Sequence, residues 1–293
     1  INAEYGDMLF IVTLLDYHTR QMLEVLKNTP GLKWVPGTPR RFRGMNHEQI
    51  KAILMPPQPE KSDYQRVQYY GDAPNSFDWT QQTPECMGVR DQGSCTSCWS
   101  FSAVGALSDN RCIVQKDLKR VQYSEQFQIS CDQQNQGCNG GWMDKAMGFL
   151  AKTGTTTEKC VAYKSGKTNQ AGKCPTKCDN GEKLEPLIKS LKFENVCAGE
   201  ESIKNALTKG VVQTMYIVFA DFMYYESGIY HHTSGQVEGI HAVVIVGYGE
   251  ENGVKFWNVR NSWGEAWGED GYFRILRGVD ECQIESECYL LTP

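Results

Sequence analysis

The sequence lacks three features that would point to common classes of protein. No apolar run approaches the roughly 20 residues that span a bilayer. The longest, residues 8–15, lies between Asp7 and Asp16 and is expected to form one face of an amphipathic helix rather than a signal peptide. No Asn-x-Ser/Thr sequon occurs, so N-glycosylation is not expected. The chain also has no excess of basic residues, since it contains 30 Lys and Arg and 35 Asp and Glu. Binding to nucleic acid is therefore not expected.

Cysteine is the residue type that this chain has in excess. Twelve cysteines are many for a cytosolic protein of 293 residues, so they indicate an oxidising compartment and a framework of disulfides. The protein is accordingly expected in lysosomal or endosomal vesicles or as a secreted protein, with a secretory signal preceding Ile1. If one cysteine is a catalytic thiol, eleven remain, and at least one more stays unpaired within the chain.

Three residues stand in an order that indicates nucleophilic catalysis. The run at residues 92–101 reads QGSCTSCWSF and contains Cys98; His241 follows 143 residues later, and Asn261 follows after another 20. A neighbouring imidazole can take the proton of a thiol, and the resulting imidazolium stabilises the thiolate, which is the nucleophile. A side-chain amide can then fix the tautomer and ring angle of the imidazole. This order and spacing predict a Cys–His–Asn catalytic site.

From residue 73 to about residue 287 the chain resembles the papain family of cysteine proteases, and within it the cathepsin B branch. The matching stretches follow one another in the order of the family. They read SFDW (76–79), DQGSC (91–95), CWSFS (98–102), SEQ (124–126), GCNGG (137–141), DF (221–222), GIY (228–230), GIHA (239–242), VGYG (246–249), NSWG (261–264), WGEDGYF (267–273) and RG (277–278). Any one of them alone is weak, and together they are specific.

The resemblance implies a role for each residue of the predicted site. Cys98 is the nucleophile at the start of a helix, where free N–H groups lower the pKa of a thiol. His241 is the base that receives its proton and later protonates the leaving amine, and Asn261 orients His241. The side-chain amide of Gln92 and the backbone N–H of Cys98 form the oxyanion hole.

The resemblance also implies a set of substrate-binding residues. Gly140 and Gly141 line the cleft and let a substrate backbone approach closely, since no Cβ intrudes. Trp263 belongs to the same set and shields the His241–Asn261 bond from water. Glu287 corresponds to the acid at the floor of the cathepsin B S2 pocket, which would favour Arg or Lys at the second position before the cut. Its alternative is a solvated acid near the C-terminus.

Four disulfides are implied by the same resemblance. They are Cys86–Cys112, Cys95–Cys138, Cys131–Cys174 and Cys160–Cys178. Cys197, Cys282 and Cys288 are left, and one bridge among them is possible without its partners being specified. No cofactor and no metal site are expected.

The chain departs from the family pattern at two places. Thr96 stands where the family usually has Gly, so a β-branched side chain is expected to narrow the pocket for the residue before the scissile bond and to disfavour a positive φ. Only 13 residues, none of them His, separate Cys160 from Cys174, so the histidine-bearing occluding loop of cathepsin B is expected to be absent. The expected activity is therefore endopeptidase without dipeptidyl carboxypeptidase action.

The expected fold class is α+β, a papain-like fold of two domains behind a short N-terminal propeptide. Residues 1–72 are the propeptide, residues 73–182 a mainly helical left domain with the nucleophile, and residues 183–293 an antiparallel, β-barrel-like right domain with His241 and Asn261. Helices are predicted at 14–26, 47–54, 98–115, 124–130 and 142–153, and strands at 211–219, 242–248, 255–260 and 271–276. The active site is then expected in the cleft between the two halves.

The first 72 residues differ from the rest in charge as well as pattern. They hold 9 Lys and Arg against 8 Asp and Glu, whereas the remainder holds 21 against 27, and these opposite net charges favour docking. The segment resembles the propeptide of cathepsin B-like zymogens, which crosses the cleft in the direction opposite to substrate and blocks it. The alternative is an N-terminal subdomain without an inhibitory role.

The predicted function is a cysteine endopeptidase that acts through a thioacyl intermediate on Cys98 and is held as a zymogen. Its expected partners are protein and peptide substrates, its own propeptide, and inhibitors of the cystatin or epoxide type. One alternative is a papain-fold binding protein with impaired catalysis. Another is a redox or zinc protein built on the C-x-x-C pattern at residues 95–98, although neither chemistry accounts for His241 or Asn261.

Overall fold

The computed structural model describes residues 19–57, 63–114 and 117–293. The apolar run at residues 8–15, and the first part of the helix predicted from residue 14, lie outside the described residues. Within the described ranges, no helix has the length and apolar character needed to cross a membrane.

Helices dominate the first half of the chain. They occupy 19–27 (α1), His47–Lys51 (α2), Trp79–Gln82 (α3), Cys98–Ile113 (α4), Glu125–Cys131 (α5), Met143–Lys152 (α6), Ser165–Thr168 (α7) and Glu200–Leu207 (α8). Short 3-10 helices lie at Arg40–Phe42, Pro84–Cys86, Ala220–Tyr224 and Glu281–Gln283. α4, α5 and α6 lie where the sequence predicts helices, and the side chain of Ser124 caps α5 by accepting a hydrogen bond from the N–H of Phe127.

Two helices differ from the prediction for identifiable reasons. α2 ends at Lys51 instead of residue 54, because the chain then extends and pairs with Ile240. α8 falls in the half for which only strands were predicted. Its sequence carried a signal, with two acids in the first turn and Ile203, Ala206 and Leu207 buried on one face.

The strands found among the described residues form one sheet with nine members. They are Trp34–Pro36 (β1), Phe77–Asp78 (β2), Lys192–Asn195 (β3), Val212–Phe219 (β4), Tyr225–Tyr230 (β5), Val237–Glu251 (β6), Val254–Arg260 (β7), Tyr272–Leu276 (β8) and Cys288–Thr292 (β9). Their order is β1-β5-β8-β7-β6-β4-β9-β3, and β2 also pairs with β6. β5 and β8 run parallel, so the sheet is mixed and the expectation of an antiparallel sheet is wrong at this pair.

β6 is the central strand for function because it carries His241. It runs from residue 237 to 251, well beyond the predicted 242–248, because the glycines that interrupt the apolar pattern are accommodated within it. At Gly247 an added Cβ would lie 2.6 Å from the carbonyl oxygen of Phe77 on β2, so the close pairing with β2 requires glycine.

A buried ionic cluster joins α4 to the sheet. Asp109 on α4 is fully buried, and its Oδ1 accepts from Arg120 Nε at 2.8 Å, while Oδ2 contacts Arg260 Nη1 at the end of β7. An added Cβ at Gly105 would lie 2.8 Å from Arg260 Nη2, so this helix position leaves room for the guanidinium. The helix that begins at Cys98 is therefore fixed against the strand that leads into Asn261.

Five disulfides are present. Cys86–Cys112, Cys95–Cys138, Cys131–Cys174 and Cys160–Cys178 are the four pairs that the resemblance implies. The fifth joins Cys197 to Cys288 and ties the segment after β3 to the start of β9. Cys98 and Cys282 are the two free cysteines.

Candidate active site

Cys98 is the first residue of α4. It is completely buried and has a free thiol, since Cys95 is bonded to Cys138. The helix begins without a side-chain cap from Ser97 and without an acid in its first turn, so the positive end of the helix is left for an anion. Because Cys95 is in a disulfide, the C-x-x-C pattern supplies neither a dithiol nor a zinc-binding pair.

His241 and Asn261 form a direct hydrogen bond. His241 Nε2 lies 2.7 Å from Asn261 Oδ1, and the same oxygen accepts from the backbone N–H of Ser262 at 2.7 Å. An oxygen that accepts from an amide is the acceptor in both bonds, so Nε2 of His241 carries the proton. Nδ1 is then the basic nitrogen, and it is buried without a hydrogen-bond partner among the described residues. This tautomer leaves a nitrogen free to accept a proton.

The backbone N–H that follows His241 lies close to the sulfur of Cys98. The amide of Ala242, the residue after His241, acts on Cys98 to favour its thiolate, as do the amides of Cys98 and Trp99 at the start of α4. The sulfur therefore lies between the start of α4 and β6, the strand that carries His241.

Trp263 covers the imidazole of His241. The two rings stack with centroids 4.6 Å apart and planes 24° apart, and Trp263 is fully buried. The ring of Phe42 from the N-terminal segment packs edge-on against Trp263 at 5.2 Å. This packing keeps water away from the His241–Asn261 bond, which strengthens the bond in its apolar surroundings.

Burial sets the protonation state of the pair. Burial raises the pKa of the Cys98 thiol to about 12, against the smaller opposing effect of the backbone amides. Burial also lowers the pKa of His241 to about 4, only partly offset by the bond to Asn261. Near neutral pH the covered site thus holds a neutral thiol and a neutral imidazole, because neither charge is solvated.

Residues 52–56, named here the covering segment, contribute to that burial, and Met55 packs in one buried cluster with Cys98. The carbonyl of Ile53 accepts from Gln92 Nε2 at 3.0 Å, and the carbonyl of Ala52 accepts from Thr96 Oγ1 at 2.8 Å. Met55 exchanges two backbone hydrogen bonds with Ile240, both 2.9 Å long, in an antiparallel bridge. The chain thus places its own backbone where the predicted oxyanion donor points.

Gln92 is held by residues that the sequence interpretation did not include. Its Oε1 accepts from Ser262 Oγ at 2.7 Å, and its backbone carbonyl accepts from Tyr163 OH at 2.6 Å. With Oε1 engaged, the amide nitrogen points to the carbonyls of Ile53 and Cys95. The sequence carries no signal for the Ser262 contact, because Ser262 and Gln92 lie 170 positions apart in the chain.

The predicted substrate-binding glycines differ in what they face. A Cβ on Gly140, whose φ is +104°, would meet Met55 and Pro56 of the covering segment at 3.5 and 3.7 Å, so this glycine lies at the cleft. A Cβ on Gly141 would lie 2.6 Å from Asn135 Oδ1 and 2.8 Å from the indole of Trp99, so the missing side chain there serves internal packing.

Two further positions bear on specificity. Thr96 is not among the residues with positive φ, so the expected backbone strain at this position is absent, and its hydroxyl binds the covering segment instead. Glu287 is partly exposed, and one of its carboxylate oxygens accepts from Tyr289 OH at 3.1 Å. Tyr289 belongs to the same buried cluster as Met55, Ile240 and Ala242.

Comparison with known proteins identifies the family. Residues 73–292 match the papain family cysteine protease domain. The chain is 47% identical over 262 residues to "Cathepsin B-like CP3" of Giardia intestinalis, a match that covers 87% of this chain and 88% of that protein. It is 44% identical over 265 residues to "Cathepsin B-like CP2" of the same organism, with 88% of each covered.

A solved structure shows the same architecture, including the N-terminal segment. The proCathepsin B S9 structure from Trypanosoma congolense matches with a TM-score of 0.85 at 26% identity, covering 93% of this chain and 97% of that one. A stem bromelain precursor matches with a TM-score of 0.80 at 26% identity, covering 98% and 92%. The chain therefore belongs to the papain family of cysteine proteases, with cathepsin B-like proteins as its relatives.

Proposed function

We propose that this protein is a cysteine endopeptidase in its zymogen form, with residues 1–72 as the inhibitory propeptide. One observation carries the proposal: the free thiol of Cys98 and the His241–Asn261 pair share a cleft that the covering segment occupies. The remaining chain divides into a mainly helical part, residues 73–182, and a mainly β part, residues 183–293. β2 crosses this division because it pairs with β6.

After the propeptide leaves, the residues of the site have separate tasks. Nδ1 of His241 takes the proton of Cys98, and the thiolate attacks the carbonyl carbon of the scissile peptide bond. Gln92 Nε2 and the N–H of Cys98 stabilise the oxyanion that forms. The imidazolium protonates the leaving amine as the C–N bond breaks, which leaves a thioester on Cys98. Water, deprotonated by His241, then attacks the thioester and releases the second product and the thiol.

The zymogen is inactive for two reasons in this proposal. The Ile53 carbonyl occupies the amide of Gln92, so a substrate carbonyl has no place there. The buried pair is also neutral, whereas the attacking species is the thiolate. Removing the covering segment solvates the site and allows the proton to move from sulfur to imidazole.

Endopeptidase action follows in this proposal from the short segment between Cys160 and Cys174. Without a histidine-bearing loop, no group is expected to bind the terminal carboxylate of a substrate in the cleft. Glu287 is proposed to favour basic side chains at the second position before the cut. A peptide-ladder assay checks the mode of cleavage, and successive release of C-terminal dipeptides would contradict it.

The compartment is proposed from the chemistry of the chain. Five disulfides suit an oxidising environment, so we place the protein in lysosomal or endosomal vesicles or outside the cell. Protein and peptide substrates are the proposed partners, together with cystatin-type and epoxide inhibitors that would compete for the same cleft.

Acid activation tests the function directly. The protein is incubated at acid pH, loss of residues 1 to about 72 is followed by mass spectrometry, and fluorogenic dipeptide substrates are assayed before and after. Labelling by the epoxide E-64 should map to Cys98 only after the propeptide has left, and Cys98→Ala is the control. A processed protein that neither labels nor cleaves would support the binding-protein alternative instead.

A further inference from the structure

Glu238 is an acid at the cleft that the catalytic steps do not use. It lies on β6, three residues before His241, and its side chain is 1% exposed. Its Oε2 atom is 3.2 Å from His47 Nε2 and 3.2 Å from Lys51 Nζ. Both basic side chains stand one turn apart on α2. A carboxylate is stable in a buried position when cationic groups accompany it, so Glu238 forms a site for a basic side chain, filled here by the propeptide.

The path of the propeptide shows on which side of the nucleophile this site lies. α2 contacts Glu238, then the Ile53 carbonyl meets Gln92, and then Met55 and Pro56 reach Gly140. Glu238 and Gly140 are therefore on opposite sides of the oxyanion donor. In the proposed function a substrate runs opposite to the propeptide, so Gly140 faces residues before the scissile bond and Glu238 faces residues after it.

The surroundings of Glu238 leave room for a long side chain once the propeptide is gone. A cavity beside it is walled partly by Ala220, Tyr224 and Gly235, which belong to the enzyme proper. Its other walls include Met22 of α1 and His47 of α2, which leave with the propeptide. Removing the propeptide thus opens this cavity and takes His47 and Lys51 away from the carboxylate.

We propose that Glu238 of the mature enzyme binds a Lys or Arg side chain on the leaving-group side of the scissile bond and determines specificity there. The inference rests on the proposed endopeptidase function. A substrate cation replaces His47 and Lys51 at Oε2, so a peptide with a basic residue just after the cut is bound more tightly than one without.

Matched peptides test this role on the acid-activated enzyme. Internally quenched peptides share all residues before the cut and carry Arg or citrulline at the first or second position after it. Citrulline keeps the shape of Arg but has no charge. We expect kcat/KM to be about fivefold to thirtyfold higher with Arg at one of these positions. Glu238→Gln should bring this ratio close to one, because kcat/KM for the Arg peptide then falls toward the value for the citrulline peptide. Glu250→Gln, an exposed acid on the same strand, should keep the ratio.

A coumarin amide substrate separates the role of Glu238 from the proposed endopeptidase function, because this substrate has no amino-acid residue after the scissile bond. An enzyme that cleaves the coumarin amide but does not prefer Arg over citrulline overturns the inference, as does a preference that persists in Glu238→Gln. Failure to cleave the coumarin amide refutes the proposed function instead. If Glu238→Gln does not mature, the wild-type ratio is measured at about 0.05 and about 0.5 M NaCl, and a ratio that does not fall with salt overturns the inference.

Discussion

The neutral imidazole of His241 should make the zymogen less stable in acid. In the folded protein burial lowers the pKa of His241 to about 4, whereas an unfolded histidine titrates near 6.5. Between these values the unfolded chain binds the extra proton, so stability rises with pH across this window and is lost as pH falls from about 6.5 to about 4. From about pH 7.5 to about pH 4.5 the loss from this one group is about 2 to 3 kcal/mol.

Chemical denaturation at the two pH values measures this loss. Cys98→Ala is the background, because it prevents the protein from processing itself in acid. In this background His241→Gln removes the titrating ring, so the free energy of unfolding should fall by about 2 to 3 kcal/mol less in the variant than in its parent. Constant effects of the substitution on packing or on the bond to Asn261 cancel, because only the difference between the two pH values is compared.

His231→Gln in the same background is the control, since this residue is partly exposed, whereas His241 is fully buried. It should leave the pH dependence of its parent unchanged. Equal losses of unfolding free energy in the parent and in His241→Gln would show that the imidazole is already charged or solvated beneath the covering segment. That result would refute the conclusion that the buried imidazole is neutral.

Three further substitutions test single contacts. Thr96→Val deletes the 2.8 Å hydrogen bond to the Ala52 carbonyl, so inhibition of the mature enzyme by a synthetic peptide of residues 40–57 should weaken about fivefold to tenfold. Thr96→Ser retains a hydroxyl and should keep the inhibition of the wild type. Equal inhibition of all three proteins would show that the Thr96 hydroxyl does not contribute to binding the propeptide. Gln92→Ala should lower kcat of the mature enzyme about 100-fold to 1000-fold, and a near-normal kcat would exclude Gln92 as the oxyanion donor. Labelling of the variant by E-64 would show that its site is still folded. Glu287→Ala should reduce cleavage after Arg-Arg while sparing Phe-Arg, and equal losses on both would place Glu287 outside the pocket.

The sequence predicts which elements carry the candidate site residues, because local patterns mark those elements. Cys98 begins α4 as the motif predicts, and the β-branched residues that follow His241 between glycines indicate a buried strand. Four disulfide pairs could be assigned only through family resemblance, since spacing alone does not select partners. The fifth pair, Cys197 with Cys288, depends on β3 and β9 lying side by side at the edge of the sheet, which no local pattern encodes.

Contacts between distant segments could not be predicted for the same reason. The Ser262 hydroxyl on Gln92 and the Met55–Ile240 pairing join residues 170 and 185 positions apart in the chain. Glu238 is an ordinary acid in the sequence, and its significance appears only when α2 is docked beside it. The parallel β5–β8 pair is likewise a property of the sheet topology, since a short strand has the same pattern in either orientation.

The Asp109 cluster bears on how the cleft can change. Its two arginines come from β7 and from the chain after α4. Moving α4 away from β7 would leave the buried carboxylate and the guanidinium group of Arg260 without each other as partners of opposite charge, which costs free energy. A hinge-like widening of the groove is therefore energetically unfavourable. In the proposed function a polypeptide therefore gains access when residues 52–56 leave a groove whose width stays unchanged. Inhibitors should then be shaped to the walls of the groove as they stand in the precursor.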